Sequence, residues 1–373
     1  MIDLFSGCGG LSLGFEMSGF QVILAIEKDE WASTTYKANH PHTEILTKDI
    51  TKINDLSNLL SKDKIVDGII GGPPCQGFSL SGNRDPKDPR NSLFMEFIRF
   101  VEYYQPSFFV MENVPGILSM KNNKEEYVKD IILQEYNNIG YTTKVFRLNS
   151  ADYGVPQKRQ RVFFIGLNET INADMNKFNI RPLIHEEDYL TIDDAISDLP
   201  VIHARQGAEY TPYTLPPNNT YQKWCRENSN GVYNHQSMRH TQRIVERFKN
   251  IGWGESVKDV SFEHQQRKRG DPSKLSGKCY SQNNMRPYPH KPSPTITASF
   301  QSNFIHPYYD RNFTAREGSR LQSFPDSYIF YGKRTTMSWE KNLSQYQQIG
   351  NSVPPLLSKH ISENIKNLIK KLK

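Results

Sequence analysis

The fold class is indicated most clearly by the stretch Met1-Ile-Asp-Leu-Phe-Ser-Gly-Cys-Gly-Gly10. Met1 to Phe5 is a mostly apolar run typical of a β-strand, and glycines separate it from a helical pattern over Leu11 to Ser18. A second apolar run follows at Val22 to Ile26. A strand, a glycine turn, a helix and another strand make up the repeating unit of a parallel α/β sheet.

The same alternation continues along the chain. Further strands are predicted at Val66 to Ile70, Phe108 to Met111, Thr142 to Phe146 and Val162 to Leu167, and helices at Leu93 to Tyr104 and Glu125 to Asn138. A last helix begins near Pro354, and its single apolar stripe has to pack on another part of the protein, most simply the first domain. The predicted fold class is therefore α/β, with a doubly wound, mostly parallel sheet.

Composition excludes several classes of protein. The 373 residues carry 46 Lys and Arg against 40 Asp and Glu, a net charge of +6, and 36% are hydrophobic, so an acidic disordered chain is excluded. No run approaches the roughly 18 apolar residues of a membrane span, and no basic region precedes Asp3, so a cytoplasmic protein is expected. The four cysteines lie far apart without a Cys-x-x-Cys pair, which indicates neither a disulfide framework nor a zinc site.

Positive charge is concentrated in one segment. Residues 203–291 contain 15 Lys and Arg against 7 Asp and Glu, a net charge of +8, together with ten aromatic residues. A loop-rich surface of this kind can neutralise phosphates and offer hydrogen-bonding groups to base edges. The alternative is the solvated basic face of an ordinary second domain.

A carboxylate follows the glycine stretch at the spacing of a nucleoside site. Glu27 lies twenty residues after Gly7, at the end of the second predicted strand. Glycines let a ligand approach the backbone, and a carboxylate at this place accepts hydrogen bonds from ribose hydroxyls. Gly9 and Gly10 are followed by Leu and Ser, so the last glycine of a dinucleotide motif is missing. A tight turn without a ligand is the alternative.

Two further strand ends carry reactive side chains. Val66 to Ile70 leads into Gly71-Gly-Pro-Pro-Cys75-Gln-Gly77, and Phe108 to Met111 leads into Glu112. Ligands of open α/β sheets bind beyond the carboxyl ends of the strands, so Cys75 and Glu112 are predicted to share a pocket. A thiol and a carboxylic acid can there serve as nucleophile and proton donor. A lone cysteine is otherwise a small buried apolar residue, but prolines and glycines around Cys75 favour a loop.

Two arginines precede the strand at Val162 to Leu167. Arg159 and Arg161 alternate along an extended segment, so we expect both to point the same way, toward an anion or a carbonyl oxygen. The alternative is a solvated entry to the strand.

Six stretches, in this order along the chain, resemble the motifs of the DNA (cytosine-5) methyltransferases. They are Asp3 to Gly10, Gly71-Gly-Pro-Pro-Cys75-Gln, Glu112-Asn-Val114, Gln157-Lys-Arg-Gln-Arg161, Arg316-Glu317 with Arg320-Leu-Gln-Ser-Phe-Pro-Asp326, and Gln348-Ile-Gly-Asn-Ser-Val-Pro354. The resemblance implies a Rossmann-like catalytic domain of residues 1–184 plus 340–373. It also implies a loop-rich target-recognition domain of residues 185–339.

The resemblance further implies S-adenosylmethionine as the methyl donor, S-adenosylhomocysteine as the product, and no metal. By motif position Phe5 stacks on the adenine, the loop from Gly7 through Gly9 to Gly10 holds the methionine end, and Glu27 binds the ribose. The other implied cofactor contacts are those of Asp49, Ile50, Pro73, Leu93, Asn351, Ser352 and Val353.

In the implied reaction, the Cys75 thiolate adds to C6 of a cytosine flipped out of double-stranded DNA. Glu112 binds N3 and the exocyclic amine, Arg161 lies at O2, and Arg159 lies nearer the phosphate. The implied DNA contacts are those of Gln76, Ser79, Arg239, Arg243, Arg267, Lys268, Arg269 and Arg286. The implied setting is a bacterial monomer with a restriction endonuclease as its genetic partner.

Three other functions can be compared with that of a DNA methyltransferase on the same motif residues. A tRNA cytosine-5 methyltransferase shares the fold, but such relatives carry a Cys-Phe-Thr element that neither Cys225 nor Cys279 begins. A non-catalytic DNA-binding relative would not need every chemical motif that this chain retains. A thiol hydrolase would need a histidine base near Cys75, and no histidine is predicted in a neighbouring strand-end loop.

Overall fold

The structure is a computed structural model that describes residues 1–61, 63–74, 93–122, 124–171, 174–268, 270–276, 283–337 and 339–370. The chain divides into two compact units. The first unit comprises Met1–Tyr153, Gln160–Leu183 and Val353–Lys373, and the second unit comprises Gly154–Arg159 and Ile184–Ser352. Residues 340–352, expected with the catalytic domain, belong here to the second unit, because residues 345–351 pack on the helix at residues 315–321.

Seven strands of the described first unit form one sheet. They are β1 (Ile2–Leu4), β2 (Leu24–Glu27), β3 (Glu44–Thr47), β4 (Gly68–Gly71), β5 (Phe108–Asn113), β6 (Tyr141–Asn149) and β7 (Gln160–Asn168). Their order is β3-β2-β1-β4-β5-β7-β6, parallel from β3 to β5, with β7 antiparallel to both of its neighbours. The predicted mostly parallel α/β sheet is confirmed.

The topology determines where a ligand can bind. The chain runs from β1 outward to β2 and β3 on one side, and β4 and β5 lie on the other side. The carboxyl ends of β1 and β4 therefore flank the point where the strand order reverses, which is the usual ligand crevice of such sheets. Because β7 is antiparallel to β5, the first residues of β7 lie at this same edge.

Four α-helices between the strands of the described residues cover the sheet. They are α1 (Gly10–Met17), α2 (Glu30–Asn39), α3 (Leu93–Tyr104) and α4 (Val128–Asn138). Helix α3 buries Phe97, Phe100 and Val101 in the core that Ile2, Leu4 and other strand residues form. Each such side chain contributes about 1.5–3 kcal/mol when fully buried. Helix α3 has its predicted bounds, whereas α4 begins three residues after the predicted Glu125.

The second unit contains short elements. They are α5 (Ile192–Ile196), β8 (Gly207–Thr211), α6 (Thr220–Arg226), β9 (Val232–Gln236), α7 (Gln242–Lys249), β10 (Arg267–Lys268), β11 (Asp271–Leu275), α8 (Phe300–Asn303), α9 (Ala315–Leu321) and α10 (Gln345–Asn351). Strands β8 and β9 form one antiparallel pair, and β10 and β11 form another. The unit is loop-rich, as the composition of its basic segment predicts.

Paired buried charges hold the second unit together. Arg320 is fully buried in α9, and its guanidinium lies 2.5 Å from an Asp198 oxygen and 2.6 Å from an Asp326 oxygen. Arg311 makes two hydrogen bonds, of 2.8 and 2.7 Å, to the buried Glu317. Removing one partner of such a pair leaves an uncompensated buried charge and costs about 3–5 kcal/mol.

The chain returns to the first unit with helix α11 (Pro355–Lys370). Ser358 Oγ donates to the carbonyl of Leu11, Ser362 Oγ donates to that of Gly14, and Lys366 Nζ donates to that of Ser18. The apolar stripe predicted after Pro354 therefore packs against α1, the helix that follows the glycine stretch. In the described ranges, no helix is long and apolar enough to cross a membrane.

Candidate active site and cofactor site

The glycine loop after β1 has an unusual backbone. Phe5, Gly7 and Gly9 have φ angles of 56°, 55° and 93°, all in the left-handed region. Glycine adopts this conformation at little cost, but Phe5 carries strain of the kind that is concentrated at functional sites. A Cβ atom added to Gly7 would meet no atom within 4 Å, so the backbone is open at this position.

Glu27 at the end of β2 is bonded to this loop. Its Oε2 accepts a hydrogen bond of 2.9 Å from the Gly7 amide, and its Oε1 accepts one of 2.8 Å from the Asp29 amide. Burial raises the pKa of the Glu27 carboxyl, although these amides oppose the shift. The loop and the carboxylate that the sequence spacing paired therefore do meet in the structure.

Two buried polar atoms, one in β1 and one in the loop itself, have no hydrogen-bond partner among the described residues. They are Asp3 Oδ1 and Ser6 Oγ. The other Asp3 oxygen accepts a hydrogen bond of 2.6 Å from Ser12. Unpaired buried polar atoms beside an open loop and a carboxylate fit a nucleoside cofactor with a polar tail. Asp3 was not among the predicted site residues, although a carboxylate inside an apolar strand is itself a signal.

The remaining predicted cofactor residues lie at several places. Asp49 caps a 3-10 helix after β3, and the buried Ile50 side chain packs in the core. Although burial alone would raise the pKa of Asp49, hydrogen bonds from Thr51 lower it. Of the other positions, Pro73 and Val353 are buried and Leu93 is half-buried in the first unit, whereas the exposed Asn351 and half-buried Ser352 belong to the second unit.

The candidate catalytic carboxylate is paired with an arginine. Strand pairing places Glu112, at the end of β5, near the start of β7, and Arg161 Nε lies 2.9 Å from Glu112 Oε1. The two side chains are only 13% and 15% exposed, respectively. Burial lowers the pKa of the Arg161 guanidinium, and the Glu112 carboxylate opposes that shift. Arg161 therefore holds one Glu112 oxygen in a largely desolvated position, where its charge interacts strongly with a bound group.

The end of β4 contacts the same carboxylate. A Cβ atom on Gly72 would lie 2.9 Å from Glu112 Oε2, so only glycine allows this approach without displacement. Asn113 Nδ2 also donates a hydrogen bond of 3.3 Å to the carbonyl of Pro73. The chain leaves this contact through Pro74 toward Cys75. The predicted residues Cys75, Gln76 and Ser79 lie outside the described residues.

The prediction that Arg159 contacts phosphate is corrected by its surroundings. Arg159 is 1% exposed, and its terminal nitrogens donate to the carbonyls of Ile296, Gly350 and Ser352. It also belongs to the second unit, whereas Arg161 belongs to the first. The chain passes from the second unit to the first between residues 159 and 160.

The predicted DNA-contacting residues of the second unit fall into two groups. Arg286 is corrected, because it is 6% exposed and donates to the carbonyls of Phe248, Ile251 and His306 and to Asp310. Arg239, Arg243 and Lys268 are exposed, and the half-buried Arg267 stacks 3.8 Å from the ring centroid of Phe262. Arg269 lies outside the described residues.

No group of three His, Cys, Asp or Glu side chains that could hold a metal ion is found among the described residues.

Asp3→Asn is expected to change how stability depends on pH. Burial, aided by the charges of Glu27 and Glu16, raises the pKa of Asp3 to about 8, against a hydrogen bond from Ser12. The unfolded chain loses this proton near pH 4, whereas the folded protein keeps it to about pH 8. The free energy of unfolding therefore falls across this window, by at most about 1.4 kcal/mol per pH unit.

The Asn variant has no such proton, so its stability is expected to fall less between pH 5 and pH 8. Urea unfolding of both proteins at these two pH values, without ligand, measures the difference. Every other titrating group is common to both proteins. Equal losses in the two would show that Asp3 is already ionised in the folded state.

Comparisons with known proteins identify the family. A family model described as C-5 cytosine-specific DNA methylase matches residues 1–367. Type II methyltransferase M.DdeI of Desulfomicrobium norvegicum is 62% identical, over 98% of this chain and 88% of its own. Type II methyltransferase M1.HphI of Haemophilus parahaemolyticus is 36% identical, over 98% of this chain and 86% of its own.

Solved structures give the same result. A prophage-encoded protein of E. coli named as a DNA modification methyltransferase is similar, with a TM-score of 0.77, 29% identity and 99% coverage of both chains. The S. pombe Dnmt2 methyltransferase, with a TM-score of 0.59, 17% identity and coverage of 100% of this chain and 98% of its own, shares the fold. The family expected from the six motifs is confirmed. The chain belongs to the C-5 cytosine-specific DNA methylases, which use S-adenosylmethionine, and it is a DNA (cytosine-5-)-methyltransferase.

Proposed function

We propose that the protein is the modification enzyme of a type II restriction–modification system. It methylates C5 of one cytosine within a short word of double-stranded DNA, as a monomer, and so protects that word from a partner endonuclease. The observation that carries this proposal is the Glu112–Arg161 pair beside Gly72 and Pro73, at the strand ends from which the chain leads to Cys75. The 62% identity to a type II methyltransferase supports the biological setting.

The first unit is the catalytic part in this proposal, and the second unit carries target recognition. The residues that hold S-adenosylmethionine are Phe5, Gly7, Gly9, Gly10, Glu27, Asp49, Ile50, Pro73, Leu93, Asn351, Ser352 and Val353. The bound cofactor supplies an electrophilic methyl group on a sulfonium. Asp3 Oδ1 and Ser6 Oγ, which have no partner among the described residues, support a polar ligand at this loop.

Cys75 acts on the cytosine ring itself. Its thiolate forms a bond to C6, and the electron pair of the C5–C6 double bond moves onto C5, which becomes nucleophilic. C5 takes the methyl group as its bond to the sulfonium breaks, which leaves S-adenosylhomocysteine. A base then removes the C5 proton, the C–H electron pair re-forms the C5–C6 double bond, and Cys75 leaves C6 as a thiolate. A stacked base cannot be attacked from its face, so the cytosine is flipped out of the duplex first.

Glu112 and Arg161 stabilise the charge that develops on the ring. Glu112 holds N3 and the exocyclic amine, and Arg161 lies at O2, where negative charge accumulates as the thiolate adds. The salt bridge orients both groups before the substrate binds, so little reorganisation is needed during reaction. Neither group moves a proton to or from Cys75 in this scheme.

DNA contacts come from the exposed basic residues of the second unit. They are Arg239, Arg243, Arg267, Lys268 and Arg269, with Gln76 and Ser79 from the segment after Cys75. Positive side chains neutralise phosphates, and arginine can also read guanine edges in the major groove.

Bisulfite sequencing tests the function. The protein is produced in cells that lack cytosine methylation, and plasmid DNA is sequenced beside plasmid from cells without the gene. We expect one cytosine in one recurring short word to remain unconverted, and a panel of type II endonucleases to lose cleavage only at that word. Complete conversion, from cells whose protein binds S-adenosylmethionine and DNA when purified, would contradict the proposal.

A further inference from the structure

Arg159 is a buried cation that ties three backbone segments together. Its Nη1 donates to the carbonyl of Ile296 at 2.7 Å, and its Nη2 donates to those of Gly350 at 2.8 Å and Ser352 at 3.1 Å. Hydrogen bonds from a charged donor are stronger and more directional than neutral ones. The guanidinium therefore fixes the backbone on both sides of Asn351.

The end of helix α10 has other side-chain partners as well. The last carbonyls of a helix have no partner within it. Gln322 Nε2 donates to the carbonyl of Ile349 at 2.8 Å, and Ser352 Oγ donates to that of Gln348 at 2.8 Å. Together with the bond from Arg159 to Gly350, these contacts hold three successive carbonyls at the end of this helix.

Gln157 connects Arg159 to the same network. It is fully buried, and its Nε2 donates to the carbonyl of Leu321 and to Gln322 Oε1, both at 3.0 Å. Its Oε1 accepts a hydrogen bond of 2.8 Å from the Ile296 amide. Gln157 and Arg159 thus connect residues 296, 321–322 and 349–352 in one hydrogen-bond network, which surrounds the exposed Asn351.

We infer that Arg159 is a positioning residue for cofactor binding: it holds the backbone of residues 350–352 so that Asn351 and Ser352 bind S-adenosylmethionine. This inference rests on the proposed function, which gives these two residues a cofactor contact. A phosphate contact would require an exposed guanidinium, whereas the terminal nitrogens of Arg159 are buried against carbonyls.

Calorimetric titration with S-adenosylmethionine tests the inference in the full-length protein. Arg159→Met removes three hydrogen bonds and is expected to raise Kd at least about tenfold. Arg159→Lys keeps the charge but cannot reach three carbonyls, so we expect a rise of about threefold. The lysine variant also provides the result if the methionine variant does not fold.

Arg316→Met is the matched control. Arg316 is also fully buried in the second unit and donates to three carbonyls, those of Tyr233, Pro325 and Tyr328. Its loss is expected to lower the unfolding temperature as Arg159→Met does, but to leave the Kd for S-adenosylmethionine within about twofold. Equal weakening by both variants would overturn the inference, because general destabilisation would then explain it.

DNA binding measured at several salt concentrations distinguishes a phosphate contact by Arg159 from the proposed positioning role. We expect the slope of log Kd against log salt to be the same for Arg159→Met and the unchanged protein. If Arg159→Met reduces the magnitude of this slope by about 0.9 and leaves the affinity for S-adenosylmethionine unchanged, Arg159 contacts a phosphate and the inference is overturned. If the unchanged protein itself does not bind S-adenosylmethionine, the proposed function fails, which is a distinct result.

Discussion

Cys75→Ser is expected to lower the rate of methyl transfer to DNA by at least about 10⁴-fold, the scale seen when an enzyme loses its nucleophile. A serine hydroxyl is scarcely ionised near neutral pH, whereas a cysteine thiol can be brought to its thiolate form by its surroundings. Without addition to C6, C5 of cytosine is too electron-poor to accept a methyl group. The substitution changes one atom, so binding of DNA and S-adenosylmethionine is expected to persist.

Single-turnover transfer of radiolabelled methyl groups to plasmid DNA measures this loss. A second readout uses DNA with 5-fluorocytosine at the target, because fluorine cannot leave C5 as a proton does and the Cys75–C6 bond stays formed. The unchanged protein is expected to give a denaturant-stable complex with this DNA, and Cys75→Ser none. A covalent complex with the variant, or turnover within tenfold of the original, would remove Cys75 from the mechanism. Cys225→Ser is the control, since Cys225 is buried and burial raises its pKa to about 12.

The fold follows from the sequence where apolar residues form uninterrupted runs. Strands β1 and β4 are buried along their length, and β5 is buried except at Glu112, so their pattern is visible without a structure. Strand β3 was not predicted, because Glu44-Ile-Leu-Thr47 is an edge strand whose two end residues are exposed and polar. Residues 340–352 were predicted with the catalytic domain but fall in the second compact unit, because a sequence pattern does not show which neighbour a short helix packs against.

The site was predictable where chemistry is tied to a strand end. Glu27 and Glu112 lie at the carboxyl ends of parallel strands, and Arg161 lies at the same edge because β7 is antiparallel to β5. Arg159 and Arg286 were assigned to phosphate or DNA, because the sequence shows a positive charge but does not show that backbone carbonyls surround it. Asp3 was not predicted as a site residue: a carboxylate in an apolar strand was visible, but its buried hydrogen bond from Ser12 was not.

Glu112→Gln is expected to reduce kcat by about 10²–10³-fold, the usual effect of removing one group that stabilises transition-state charge. The amide oxygen of glutamine can still accept a hydrogen bond from Arg161, so stability is expected to fall by only about 1–3 kcal/mol. Glutamine carries no acidic proton, however, and is a weaker hydrogen-bond partner for N3 than a carboxylic acid as negative charge builds up on the ring. Affinity for S-adenosylmethionine is expected to stay within twofold, since Glu112 lies at the end of β5, whereas the glycine loop follows β1. A kcat within threefold of the original would contradict this role.

A double-variant cycle with Arg161→Met shows whether the pair acts as one unit. Arg161 Nε lies 2.9 Å from Glu112 Oε1, and both side chains are largely buried. If Arg161 acts mainly by orienting Glu112, the second substitution lowers kcat little beyond the first. The coupling free energy between the two substitutions is then expected to be about 1–2 kcal/mol, within the range usual for residues in contact. If Arg161 instead stabilises O2 independently, the two losses in log kcat add. Arg161→Lys distinguishes charge from geometry, because lysine keeps the charge at O2 but cannot reproduce the planar guanidinium that holds Glu112. We expect Arg161→Lys to retain less than a tenth of the original kcat, because orientation of the carboxylate depends on that plane.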